Sequence, residues 1–240
     1  MWNLGLLGAA SGASFEEPIL DGLTLRLDAG NPNSYSGSGS SWYDLSGNNY
    51  TGTLSNTSFD SADGGSIVFN GSSSIANFAV NGFQVATEAT IANFTIDLWV
   101  NWSAFPSPGV DELVSWWSPA GNIYPDGFFG ARPDGGMRFG DGWGSVPVIF
   151  NTSTDTNKWF HLVAVKDGSS NAYVYKNGVL VASKGSNLSW GVNRNLALGA
   201  QHEAAEYFNG KMAILNLYTR ALSLSEIQTN YNTFKTRFGL

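Results

Sequence analysis

The sequence predicts an all-β domain closed by one C-terminal helix. Three observations lead there. Turn and exposed-strand residues fill the polar part of the chain: 29 residues are Gly and only 13% are charged, against a usual ~25%. Short segments of alternating hydrophobicity recur along the chain, which is the period of a half-buried strand. A single stretch with helical spacing comes last. A chain of 240 residues is long enough to bury one substantial core without disulfides or metals.

The elements follow in order. Leu23, Leu25 and Leu27 alternate with Thr24 and Arg26 as a first strand. In FTIDLWVNW, residues 94–102, Phe94, Ile96, Leu98, Val100 and Trp102 point one way, and Thr95, Asp97, Trp99 and Asn101 the other. A Trp between two polar residues predicts that this second face is a partly exposed sheet surface. WFHLVAVK, residues 159–166, is apolar on both faces and reads as a central strand covered on each side. Asn177-Gly178 lies between alternating runs and supplies the positive φ angles of a type I′ hairpin turn. KMAILNLY, residues 211–218, is a further strand. Asp126-Gly127, Asp134-Gly135 and Asp141-Gly142 read as tight turns rather than as a metal loop.

Ser223 and Glu226 have the spacing of a capping box. Ile227, Tyr231, Phe234 and Phe238 then recur on one helical face. The spacing predicts a helix over 223–237 that closes one side or end of the sandwich.

The front of the chain, MWNLGLLGAASGASF, is apolar and uncharged. Its apolar core is short and interrupted by Gly5 and Gly8, and the first positive side chain is Arg26, so it reads as neither a signal peptide nor a membrane span. Trp2, Leu4, Leu6 and Leu7 are anchors separated by small residues, as in an extended segment that orders in a partner's groove. The expected organisation is a docking arm over 1–21 and one domain over 22–240. A net charge of −7 and a pI near 4.7 exclude the clustered basic surface that nucleic acids and anionic membranes require. The absence of Cys excludes disulfides and thiolate metal sites. Seven Asn-x-Ser/Thr sequons are read as a product of composition.

Catalysis is not expected. A glycosidase needs two carboxyls ~5–9.5 Å apart, and no such pair sits on a predicted strand. Asp97 stands alone; Glu16-Glu17 and Asp111-Glu112 are adjacent and would point opposite ways; Glu203 and Glu206 fall in a loop beside His202. His161 reads as a buried core histidine. Among the aromatic residues, Trp117, Tyr124 and Trp143 are the candidates for stacking on a sugar ring.

Taken in order, FTIDLWVNW, KWFHLVAVKDGSSNAYVYKNGVLVAS and YFNGKMAILNLYTRALSLSEIQTNY resemble the laminin-G-like domains of the concanavalin A-like lectin/glucanase superfamily. The resemblance implies a two-sheet antiparallel jelly-roll sandwich. Residues 23–54, LTLRLDAGNPNSYSGSGSSWYDLSGNNYTGTL, and the ending EIQTNYNTFKTRFGL are similar to segments of virion structural proteins of tailed bacteriophages. That similarity implies a decoration, tail or fibre module located in the virion. Its partners would be other virion proteins, as a homo-oligomer or bound to a lattice; a host surface glycan is the alternative. Family members that bind calcium carry an Asp where this chain has Ala213. No cofactor is therefore expected, although Asp44, Asn48 and Asn49 are the oxygen donors from which a calcium site would be built. Asp44 also reads as the cap of a turn with Ser46-Gly47.

Overall fold

The computed structural model describes residues 16–78, 90–117, 127–140, 145–168, 171–185, 190–191, 195–201 and 205–240. The chain opens with β1 (Leu23–Asp28), β2 (Ser41–Tyr43), β3 (Thr51–Ser55), β4 (Ser58–Asp60), β5 (Ser66–Asn70) and β6 (Ile75–Phe78). It continues through β7 (Thr90–Ile91), β8 (Phe94–Trp102), β9 (Asp111–Trp117), β10 (Gly127–Ala131), β11 (Gly136–Gly140) and β12 (Ser145–Val148). The last strands are β13 (Trp159–Asp167), β14 (Asn171–Lys176), β15 (Val179–Gly185), β16 (Trp190–Gly191), β17 (Asn195–Leu198) and β18 (Asn209–Tyr218). The helix α1 (Leu224–Phe234) follows.

Two antiparallel sheets form a sandwich. Sheet A runs β15-β14-β13-β8-β18-β5-β4, with β1 pairing the C-terminal half of β18 beyond β5. Sheet B runs β12-β11-β10-β9-β17-β6-β3-β2. Strand alternation sends one set of side chains inward from each sheet. Ile96, Leu98, Val100 and Trp102 of β8 meet Val114, Trp116, Phe129, Phe139 and Leu196 from sheet B in one continuous core. The hairpin at Asn177-Gly178 forms as its sequence predicts. Both residues have positive φ (52° and 76°), and Lys176 pairs with Val179 across the turn. Asp134-Gly135 likewise turns β10 into β11, Gly135 N donating to Arg132 O and Arg132 N to Gly136 O.

The second face of β8 is not partly exposed: all nine of its residues are buried. The reason is α1 and the 3-10 turn Lys235–Phe238 after it, which lie across the outer face of sheet A. Trp99 stacks on Phe238, with ring centroids 4.3 Å apart, and is tilted against His161 at 5.0 Å. A bulge at Ala213 in β18 turns both Ala213 and Ile214 under this cover. A carboxylate at position 213 would therefore be buried beneath Phe234 and Phe238.

The helix start obeys its sequence signal. Ser223 Oγ accepts from Glu226 N, and Ser223 N donates to Glu226 Oε2 at 2.8 Å. The Arg220 guanidinium grips the same carboxylate and holds it down at about 2. Asn230 faces the sheet and is fully buried. Its Nδ2 donates to Asp97 Oδ2 at 2.7 Å and to Tyr218 Oη at 3.0 Å, and its Oδ1 accepts from Ile19 N at 2.8 Å. Residues 16–22 thus lie against this domain's own sheet. Pro18 is buried, Glu17 pairs with Arg26, and Ile19 packs beside Leu222 and Ile227. The arm expected over 1–21 is part of the domain over its last six residues.

Replacing Asn230 by Ala leaves the Asp97 carboxyl and the Ile19 N–H short of a buried partner. Urea unfolding should show a loss of about 2–3 kcal/mol. Ser223→Ala, which removes a cap at an exposed position, should lose about 1 kcal/mol.

Candidate functional site

The outer face of sheet B differs from that of sheet A. Across its centre the register aligns Thr53, Asn77, Ala197, Ser115, Phe128 and Gly140. Thr53 and Asn77 are exposed, and Phe128 and Arg138 are half-buried. The Arg138 guanidinium sits over the Phe128 ring, 4.8 Å from its centroid. Among the described residues no helix lies on this face.

The covering described there comes from the stretch after β17. Ala200 and Tyr207 pack on Ile75 and Ala197. Ser115 Oγ donates to Ala200 O at 2.9 Å, Gly199 N to Leu113 O at 3.1 Å, and Glu112 N to Glu206 O at 2.9 Å. Glu206 holds a left-handed φ of 53°, uncommon for a residue with a side chain.

This arrangement gathers carboxyls that the sequence separates. A register shift in β9 sends Leu113 and Val114 both into the core. Asp111 faces inward and Glu112 outward. Asp111 accepts from Trp102 Nε1 and from Ala131 N, each at 2.8 Å. Burial nevertheless pushes its carboxyl up to about 7. Glu112 is 2% exposed. Burial first, then the hydrogen-bonded Glu206 carboxyl, raise it far above the usual carboxylate range, and Ser115 and Arg138 offset only part of this. Its Oε2 finds no donor among the described groups.

The residues singled out by sequence reasoning fall elsewhere. Trp2, Leu4, Leu6, Leu7, Tyr124 and Trp143 lie outside the described residues, as do Asp126 and the turn Asp141-Gly142. Trp117 ends β9, its backbone paired with Asn195. Asp44 is a turn cap: Oδ1 accepts from Arg26 N and Ser46 N, and Oδ2 from Ser46 Oγ. Asn48 donates to Thr24 O, and Asn49 stands exposed in the left-handed region. These bonds tie the turn to β1. Among the described residues no three Asp, Glu or His side chains gather at metal-binding distance. Asp97 does not stand alone; it meets Asn230, and His161 Nε2 lies 3.2 Å from its Oδ1, out of line for a directed bond.

Comparison with known proteins fits this architecture. A family model described as the concanavalin A-like lectin/glucanases superfamily matches residues 84–228, more than half of the chain, and the chain belongs to that superfamily. No curated protein sequence matches it. Among solved structures, it is similar to the Trypanosoma rangeli sialidase in complex with sialic acid (TM-score 0.66, 18% identity), covering 90% of this chain and 34% of that one. It is similar to the binding domain of Paraclostridial Mosquitocidal Protein 1 (TM-score 0.66, 19% identity), covering 90% of this chain and 53% of that one. It is also similar to domain 4 of AbnA, an extracellular arabinanase from Geobacillus stearothermophilus, in complex with arabinotriose (TM-score 0.63, 21% identity). There the match covers 86% of this chain and 96% of that domain. The chain thus spans about a third of the sialidase and about half of the toxin domain. Identities this low carry the fold alone.

Asp111 binds its proton more tightly folded than unfolded, so its contribution to stability is full below pH ~4 and is lost as pH rises to about 7. Unfolding free energy measured across that window should fall with pH. Asp111→Asn should reduce the slope, and an unchanged slope would refute the assignment.

Proposed function

We propose that this member of the concanavalin A-like superfamily is a non-enzymatic recognition module that binds a glycan on the outer face of sheet B. The observation that carries the reading is the contrast between the two faces. Sheet A is sealed by α1. Sheet B presents an aromatic ring, a guanidinium, an amide and a hydroxyl at Phe128, Arg138, Asn77 and Thr53. Sugars offer both apolar faces and rows of hydroxyls, and such a surface matches both. Trp117, Tyr124 and Trp143 are the further aromatic residues we propose for stacking on that glycan. The whole-domain likeness to a module seen with arabinotriose supports this reading.

The setting we propose is the virion of a tailed phage, assembled in the host cytoplasm, with the module displayed as a decoration, tail or fibre component. The similarity of residues 23–54 to virion proteins supports it. Trp2, Leu4, Leu6 and Leu7 would then dock the module on other virion proteins or on further copies of this chain.

The test is a glycan array that includes pentose oligosaccharides and sialylated glycans, followed by titration calorimetry on any hit. Phe128→Ala should weaken binding about tenfold, the size of one lost stacking contact, with unfolding still cooperative. Silence across the array would overturn the glycan reading. Deleting residues 1–15 should abolish incorporation into particles, and normal incorporation would overturn the docking role.

A further inference from the structure

We propose that the groove between α1 and β1 is a recognition site for the segment Glu16-Glu17-Pro18-Ile19, and that on the assembled particle it takes this segment from a second copy of the chain. The inference rests on the docking role proposed above for the N-terminal arm and names its partner.

The groove is filled by the chain's own residues 16–19, and each of these four meets a dedicated group. Arg26 Nη2 donates to Glu16 O at 2.8 Å, and Arg26 Nη1 donates to the Glu17 carboxylate. The Arg26 side chain is itself buried at 5% exposure. Pro18 is buried and has no N–H that needs a partner. Ile19 N donates to Asn230 Oδ1 at 2.8 Å, and its side chain packs with Leu222 and Ile227. A carbonyl, a carboxylate, an apolar ring and an N–H are thus read in succession. That is how a groove selects a peptide: main-chain hydrogen bonds hold it, and the side-chain contacts choose its sequence.

The link from this segment to β1 is slight. Leu20 is 63% exposed, and Asp21 is exposed as well. Gly22 is already fastened to the sheet, its O accepting from Thr219 N at 2.9 Å. Its φ of 74° and the Arg220 side chain against it reserve that place for glycine. The bend between is held by Leu23 N donating to Leu20 O at 3.1 Å and by Arg220 against Asp21. Exposed contacts of this kind hold weakly. Straightening the bend at Leu20 and Asp21 swings residues 16–19 out as a unit, toward any copy that presents the same groove.

The seated contacts are identical within one chain and between two, so local concentration decides which forms. A short link gives the chain's own segment an effective concentration on the order of millimolar. A dilute chain therefore closes on itself. Copies held side by side on a particle meet that concentration, and exchange there carries Trp2, Leu4, Leu6 and Leu7 onto the neighbour.

The experiment uses two full-length variants. Glu17→Arg with Ile19→Asp spoils the segment and leaves the groove native. Arg26→Glu spoils the groove and leaves the segment native; Arg26→Gln replaces it if Arg26→Glu does not fold. Each alone should show monomer mass in light scattering. An equimolar mixture should give a one-to-one dimer, because the intact segment of one meets the intact groove of the other. An acetylated, amidated peptide of residues 16–21 should bind the Glu17→Arg, Ile19→Asp chain in titration calorimetry and compete the dimer apart. The same peptide carrying Glu17→Arg should bind about tenfold more weakly, the size of one lost charge pair. The proposal is overturned if the native peptide fails to bind that chain, or if the mixture stays at monomer mass. Either result leaves the docking role itself to the deletion of residues 1–15, whose effect on particle incorporation is read separately.

Discussion

The structure depends on one buried amide. Asn230 takes part in three hydrogen bonds at once, to Asp97 on β8, to Tyr218 on β18 and to the backbone of Ile19. A helix set on a sheet normally seals its contact with apolar side chains. Here the sheet presents a carboxyl at the centre of the contact, and burying it without a partner would cost several kcal/mol. Asn230 offsets that penalty, with both of its N–H donors committed and its oxygen accepting once. It also fixes the register of α1 on the sheet, because a rotation or a shift by one turn would strand the Asp97 carboxyl. With the helix so placed, Trp99 is enclosed by Phe238, Tyr231 and His161. Asp97, Asn230 and the aromatic cluster are thus one unit, and the segment at residues 16–22 is pinned by the same group.

That unit makes the sandwich asymmetric. With its outer face committed to α1, sheet A has little surface left at its centre. Sheet B keeps an outer face of mixed polar and aromatic character, and the irregularity in β9 shapes it. Were β9 regular, Glu112 and Ser115 could not share the outer face, being three residues apart. The extra residue at Leu113 and Val114 brings both outward while Asp111 stays inside, bonded to Trp102. A bulge that re-aims a side chain in this way is a recurrent device beside functional surfaces.

Much of this was legible in the sequence, for local reasons. Ser223 and Glu226 announce the start of α1, Asn177-Gly178 the hairpin, and the alternation in β8 its core face, because each signal is carried within a few residues. The burial of the second face of β8 was not legible. Thr-x-Asp-x-Trp-x-Asn reads as a wet surface, and its partner Asn230 lies 133 residues away. The resemblance of the later strands conveyed the sandwich. It could not convey which outer face the helix covers. The pairing of Glu112 with Glu206 was hidden doubly: adjacent acids on a strand point apart, which is true here, and the second acid arrives from a stretch whose fold depends on tertiary contacts.

The carboxyl pair also bears on chemistry. A glycosidase places its two carboxyls on either side of a scissile bond, ~5–9.5 Å apart, with the acid reaching the leaving oxygen. Glu112 N donates to Glu206 O at 2.9 Å, so the two residues are joined through their backbones. Glu112 is also buried, at 2% exposure. Raised carboxyl protonation is often the mark of an active site, but the same perturbation arises wherever two acids are buried in contact. Here the contact joins β9 to the stretch that shields Ile75 and Ala197, and the physical role that fits it is cohesion. On this face Phe128 and Arg138 are half-buried and Asn77 and Thr53 are exposed, and these are the groups that the proposed glycan would meet.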